Sequence, residues 1–356
     1  MKTRVRTSLI LSLFLSLLLS SDIGPQTIRN TIPGESTTLL PDGQWLLLGG
    51  ESSDGRPLST AQIWNPRTGV TTPLPSELQQ ARAYHSATML PDGTVLIFGG
   101  IGSDGKVLSS PELFNAETQS FQLLPNACCL LPRHGHTATL LTDGRVLIAG
   151  GVGSNGQVLD TADLFDPRSL ELLPVASRLS PRSGHTATLL ADGTVLLSGG
   201  TDQNGDKIDT ADLFDPVSQT FIPRSDPGPL PFALSPLRLE ASLPLDGAVD
   251  VAVDAVIALR FSTPLNVVTV NSDTVTLSGP NGIERIKVVP AEGGMLAFIT
   301  PESSLLPGAT YTVSVNGAAD TSGILLPLSG FSFTTQSSSL STQSSSTIYH
   351  CINNAT

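Results

Sequence analysis

The chain has 356 residues, only 14% of them charged, with 33 glycines, 27 prolines and a formal net charge of −12. So acidic a chain lacks the positive footprint that binding to nucleic acid or an anionic membrane surface requires, and neither is expected as a partner. The length allows two or three domains with a sizeable core, and the glycine and proline content predicts a loop-rich, all-β protein.

Residues 1–21 read as a secretory signal. Lys2, Arg4 and Arg6 form a basic start, and Leu9 to Leu19 an apolar run too short to span a bilayer, with Ser20 and Ser21 after it. The expected location is extracellular or at a bacterial cell surface, with cleavage near Ser20–Ile23 and no stable membrane insertion afterwards.

The stretch 22–222 is organised by repetition. Asp-Gly pairs at 42–43, 92–93, 143–144 and 192–193 recur at intervals of 50, 51 and 49 residues. A period near fifty is that of stacked sheet blades. Each pair is a hairpin cue. An almost continuously apolar strand follows, and then a double glycine: Gly49 and Gly50, Gly99 and Gly100, Gly150 and Gly151, Gly199 and Gly200. Glycines there let another backbone or a ring approach closely. A second turn dipeptide and a third strand come next, the latter carrying an aromatic (Trp64, Phe114, Phe165, Phe214) expected to fill the space between blades. A short fourth strand completes each meander, giving blades near 35–76, 82–126, 133–176 and 182–224.

The marks R-x-x-H, S/T-A-T, Asp-Gly, double glycine and L-F-D-P resemble kelch repeats in the form common in bacterial secreted proteins. The resemblance implies a β-propeller of the galactose-oxidase-like superfamily, blades ringed about a channel. Four blades are the lower bound for closure, so either a closed four-bladed ring or an open, partial propeller is expected. An open arc would expose an apolar blade face and invite self-association.

A Pro-rich bridge over 223–235 reads as a stiff linker. Beyond it, seven short alternating strands over 236–335 predict a β-sandwich. P-x-D-G-A at 244–248, F-S-x-P at 261–264, L-x-P-G-x-x-Y at 305–311 and the closing FSFTT resemble the bacterial Ig-like domain of surface-layer proteins, which implies a spacer. Residues 336–356 are a Ser/Thr-rich tail unable to bury a core. Such a linker normally leads somewhere, so the expectation extends to a truncated relative of a longer surface protein. Cys128, Cys129 and Cys351 are too few for a disulfide framework, and zinc would need further ligands beside His134 and His136. No metal and no cofactor is expected.

Arg82/His85, Arg133/His136 and Arg182/His185 precede the first strands of three blades, where blade one has Ile32 and Glu35. Recurrence favours a structural clamp between neighbouring blades. A ligand-binding role for the six, as a ring of positive charge holding an acidic sugar or a carboxylate-bearing peptide, is the other reading. The loops 51–58, 101–108, 152–159 and 201–208 lie at the same end as these residues, opposite the tight Asp-Gly turns, and read as plain hairpins without a calcium ligand set. Kelch-type propellers include copper-radical oxidases and sugar-processing enzymes, but Tyr84 is the only tyrosine in the repeats, and no complete catalytic constellation is present. The expected function is therefore a non-catalytic module that recognises protein or carbohydrate through its propeller loops. The alternative is a glycan-directed or oxidative enzyme whose carboxylates, for instance Asp160 and Asp209, meet only in the fold.

Overall fold

A computed structural model describes residues 32–124, 131–225 and 236–337. The expected signal segment, the three cysteines, most of the Pro-rich bridge and nearly all of the tail lie outside the described residues.

The repeats form four antiparallel, four-stranded sheets, each ordered as in the sequence once the extra short strand pairs are set aside. The first blade comprises Glu35–Leu39, Trp45–Gly49, Ala61–Asn65 and Val70–Pro73. The second comprises Ser86–Met89, Thr94–Phe98, Glu112–Asn115 and Ser120–Leu123. The third runs through Thr137–Leu140, Val146–Ala149, Ala162–Asp166 and Glu171–Pro174. The fourth runs through Thr186–Leu189, Val195–Ser198, Ala211–Asp215 and Thr220–Arg224.

The Asp-Gly hairpins are three-residue loops, not tight two-residue turns. In the second blade the Gly93 N–H donates to Leu90 O at 2.9 Å and the Leu90 N–H to Thr94 O at 2.8 Å, enclosing Pro91, Asp92 and Gly93. Asp92 Oδ1 accepts from the Thr94 N–H, and Gly93 takes the left-handed residue at φ +86°. A type I turn followed by a left-handed glycine suits this loop, and Pro41 and Pro91 favour it by fixing φ at the turn's first central position.

The innermost strands of consecutive blades lie side by side, and among the described residues no comparable contact joins the fourth blade to the first. The ring is open. Register shows why the apolar strands are apolar on both faces: Leu96 and Phe98 point toward the third blade, and Val95 and Ile97 point back toward the first. All four are buried, as expected of sheets stacked on both sides.

The sandwich pairs a four-stranded sheet with a five-stranded one. Its predicted first strand is two: Leu239–Leu243 belongs to one sheet and Ala248–Val251 to the other, where it runs parallel to Ser329–Thr335. The turn between them holds Pro244, Asp246 and a left-handed Gly247, and Asp246 Oδ1 accepts from the Ser332 N–H.

This domain does not stand off as a spacer. The main core runs through all four blades and continues into Val289, Leu296 and Phe298 of the sandwich. Arg260 donates from Nε to Ala191 O at 2.7 Å and from a terminal nitrogen to Thr142 Oγ1 at 2.9 Å. Glu292 Oε1 accepts from the Leu140 N–H at 2.7 Å, and Lys287 pairs with Glu117 at 2.7 Å. All these blade partners sit at the Asp-Gly end of the propeller, which the sandwich therefore covers. The opposite end, with the longer loops, faces away from it.

Candidate binding site

The three arginines are the largest fully buried side chains among the described residues. Arg82 donates to Glu112 at 2.6 Å, Arg182 to Asp212 at 2.6 Å, and Arg133 to Asp163. A terminal nitrogen of each also donates to the carbonyl of its own blade's first glycine: Gly99 at 3.0 Å, Gly150 at 3.2 Å and Gly199 at 3.1 Å. Every acid partner lies in the third strand of the same blade. The arginine side chains thus tie the entering segment to its own sheet, and these three residues meet the preceding blade through their backbone carbonyls. The N–H groups of Gly50, Gly100 and Gly151 donate to the carbonyls of Arg82, Arg133 and Arg182. Positive charge does not line a mouth here. Burial pulls the Arg82 and Arg133 guanidinium groups down, and burial likewise raises the Asp163 carboxyl, each opposed by its partner.

The histidines are buried as well. The ring Nε2 of His85, His136 and His185 meets the hydroxyl of Ser36, Ser86 and Thr137 of the preceding blade at 2.7, 2.9 and 2.9 Å. Burial, with the neighbouring arginine second, depresses His85 and His185 to about 3 and His136 well below the ordinary histidine value. All three are neutral pins between blades. The double glycine makes room for them. A Cβ on Gly99 would lie 2.3 Å from Arg133 O and 2.7 Å from His136 Cε1. Phe114, Phe165 and Phe214 are buried between blades as expected, whereas Trp64, with no blade before it, is half-buried.

What reaches the open, loop-bearing end is a set of residues that break the repeat. Near the inner edge of the arc the backbone forms a ladder across the blades. The Tyr84 N–H donates to Gly34 O at 2.8 Å, the Gly135 N–H to Tyr84 O at 3.0 Å, and the Gly184 N–H to Gly135 O at 2.7 Å. All four residues are left-handed, at φ +70°, +59°, +62° and +61° in chain order. Three are glycine and one is tyrosine. A side chain in that conformation costs roughly 1–2 kcal/mol, and such residues concentrate at functional sites.

Tyr84 Oη donates to Glu51 Oε2 at 3.0 Å, and its ring lies 6.4 Å from that of His134, tilted by 58°. Glu51, Tyr84 and His134 thus come one each from three successive blades and form a half-buried row of carboxylate, phenol and imidazole. Burial and the Glu51 carboxylate raise the Tyr84 hydroxyl, and burial lowers His134. By sequence, Tyr84 is a lone tyrosine short of a radical site and His134 a histidine short of further zinc ligands. The signal that marks them is their departure from the repeat, Tyr84 where other blades have glycine and His134 where they have Pro33, Ala83 and Ser183.

The surrounding hairpins are locally neutralised by exposed pairs, Asp54 with Arg56 and Asp104 with Lys106, each at 3.1 Å. Asp160 is likewise paired, with Arg178 at 2.9 Å. Among the described residues no group of three or more His, Cys, Asp or Glu is placed to hold a metal ion, and no helix is long and apolar enough to cross a membrane.

The profile of the KLHDC2/KLHL20/DRC7 Kelch-repeats domain matches residues 35–236, and that of a bacterial Ig-like domain matches 234–335. No curated protein matches the chain. Among solved structures, a novel fungal alcohol oxidase with catalytic diversity among the AA5 family, in complex with copper, is similar at 12% identity and a TM-score of 0.41. The alignment covers 87% of each chain, but a likeness this slight carries no argument about this chain. The recurring blades, the buried arginine and histidine pins and the profile match agree: this chain belongs to the kelch-repeat family and carries a bacterial Ig-like domain behind its blades.

Proposed function

We propose that the protein is a secreted or cell-surface, non-catalytic binding module that recognises protein or carbohydrate at the loop-bearing end of its propeller, through Glu51, Tyr84 and His134. The observation that carries this reading is Tyr84, held left-handed where the other blades place glycine. A strained aromatic with an amphipathic ring, beside a carboxylate and an imidazole, offers one stacking face and several hydrogen-bonding groups. Convergent aromatic and polar groups of this kind suit sugar rings and peptide side chains alike. The sandwich covers the other end and leaves this one accessible.

The test uses the full chain on a glycan array and a peptide display library, with Tyr84→Gly as the probe. Glycine fits the backbone there, so folding is retained while the stacking surface is lost. Binding that disappears in Tyr84→Gly and weakens in Glu51→Gln supports the reading. Binding unchanged in both overturns it. Turnover of a bound glycan would favour the enzymatic alternative instead.

A further inference from the structure

The open arc has two ends, and the internal blade junctions show what each end is built to meet. At each of the three junctions a hydroxyl of the leading blade's inner strand bonds the next blade's histidine, and the second glycine's N–H bonds the next blade's Arg carbonyl. The fourth blade carries the same parts without a following blade. Thr186, in the place of Ser36, Ser86 and Thr137, is exposed and turns back on Ser198 of its own blade. Gly199 and Gly200 are half-buried, whereas the other three glycine pairs are buried. A Cβ on Gly199 would meet nothing within 4 Å, while its three counterparts would strike the next blade's backbone. Register aligns Leu196, Leu213 and Ile222 as one apolar row across this face. The first two are buried in a small cluster apart from the main core, so that the open part of this face is Thr186, the Gly199 socket and the half-exposed Ile222.

The opposite end presents the counterpart. Inside the arc the row Val195, Phe214 and Phe221 of the fourth blade is buried against the third. In the first blade the equivalent row is Trp45, Trp64 and Thr71. Both tryptophans, the only two in the chain, are half-buried there, and Thr71 is exposed. Gly34 stands where Tyr84, Gly135 and Gly184 each give an N–H to the blade before, and the carbonyl of Gly184 accepts from no following blade among the described residues.

We propose that the trailing face of the fourth blade docks the leading face of the first blade of a second copy of this chain, head to tail, repeating the packed rows and backbone ladder of the internal junction, with Ile32 and Glu35 in the places of its arginine and histidine. The occupant is a second copy because the two ends match in the parts that consecutive blades share apart from the arginine and histidine: an open glycine socket and the exposed Ile222 edge of an apolar row against an aromatic row with the ladder residue. Such a contact is heterologous, so it closes only if the rotation allows. Two copies joined at both ends carry eight blades, the upper end of the range typical of propellers.

Sedimentation velocity of the full chain over a concentration series, read beside tryptophan emission, tests this. Dimers or longer assemblies, with emission shifting to the blue as they form, are expected, because both tryptophans lie on the docking face. Ile222→Arg and Thr71→Arg alter exposed positions on opposite faces. Each is expected to weaken self-association by about tenfold or more, since a charge is buried unpaired in the contact. Mixed together, the two variants should form heterodimers and nothing larger, because each retains one intact and opposite face. A folded chain that stays monomeric at every concentration, its faces then belonging to its own tail or another protein, overturns the proposal. So does association that both variants leave unchanged.

Discussion

At the residue scale the blades are held by buried pairs that the repeat itself has tested. Three blades have both an arginine before the first strand and an acid in the third, and blade one has neither, with Ile32 and Gln62 in those places. Removing one member of a buried pair leaves the other charge unpaired and desolvated. Arg133→Ile should therefore cost about 3–5 kcal/mol in urea unfolding. The double change Arg133→Ile with Asp163→Gln, which copies blade one, should recover a good part of that loss. A double variant no more stable than the single would show that the pair does more than neutralise itself. Arginine and histidine were legible in the sequence because they recur at a fixed offset from the first strand. Their acid partners were not, because Glu112, Asp163 and Asp212 lie some thirty residues downstream and only the closed blade brings the two ends of that loop together.

At the scale of the element, the same glycine has a different job in different blades. Gly99 and Gly199 have nearly equal φ, +68° and +69°, but only Gly99 has the next blade's carbonyl against it. At concentrations where the chain is monomeric, Gly199→Ala should then cost about 1–2 kcal/mol for the left-handed backbone alone. Gly99→Ala should cost that plus a further ~1–3 kcal/mol as the third blade is pushed away. Thermal unfolding of the two variants in parallel checks the difference, and equal losses would argue against a junction at Gly99. Tyr84→Gly runs the other way. Relief of backbone strain offsets the lost hydrogen bond to Glu51, and stability should stay within ~1 kcal/mol of the parent. Alternation and turn dipeptides made the strands readable one by one. The three-residue loop was less so, because an Asp-Gly pair does not by itself fix the loop length: blades with Thr142 or Ala191 ahead of it form the same loop as those with Pro41 or Pro91.

The whole molecule carries opposing pH dependences. The three histidines have folded pKa values far below their unfolded value near 6.5, two of them at about 3. Their contribution is present above pH 6.5 and is lost as pH falls toward 3, each by up to ~1.4 kcal/mol per pH unit. Glu292, half-buried at the sandwich–blade junction, is raised by desolvation to about 7, against the hydrogen bond from Leu140. Its contribution is complete below pH 4.5 and is lost as pH rises through 7. Three groups outweigh one, so the protein should lose stability steadily below pH 6.5. Glu292→Gln, which keeps an acceptor for the Leu140 N–H, should gain on the parent progressively between pH 4.5 and 8. Urea midpoints across pH 4–8 measure both slopes, and parallel curves for parent and Glu292→Gln would place that carboxyl in water.

Class, blade count, the sandwich and the order of strands were determined by the sequence alone, because each rests on local chemistry: a fifty-residue period, turn residues at fixed offsets, and side-chain alternation. Where Arg82, Arg133 and Arg182 spend their charge was decided by burial, which depends on which blade covers which. The open ring follows from the same cause, since closure is the sum of small angles between sheets and no single residue encodes it. The sandwich packed on the Asp-Gly turns, with Glu292 and Arg260 reaching across more than sixty residues of chain, was equally beyond local reading. So was the row of Glu51, Tyr84 and His134, whose members stand some thirty to fifty residues apart and become neighbours only when three blades stack.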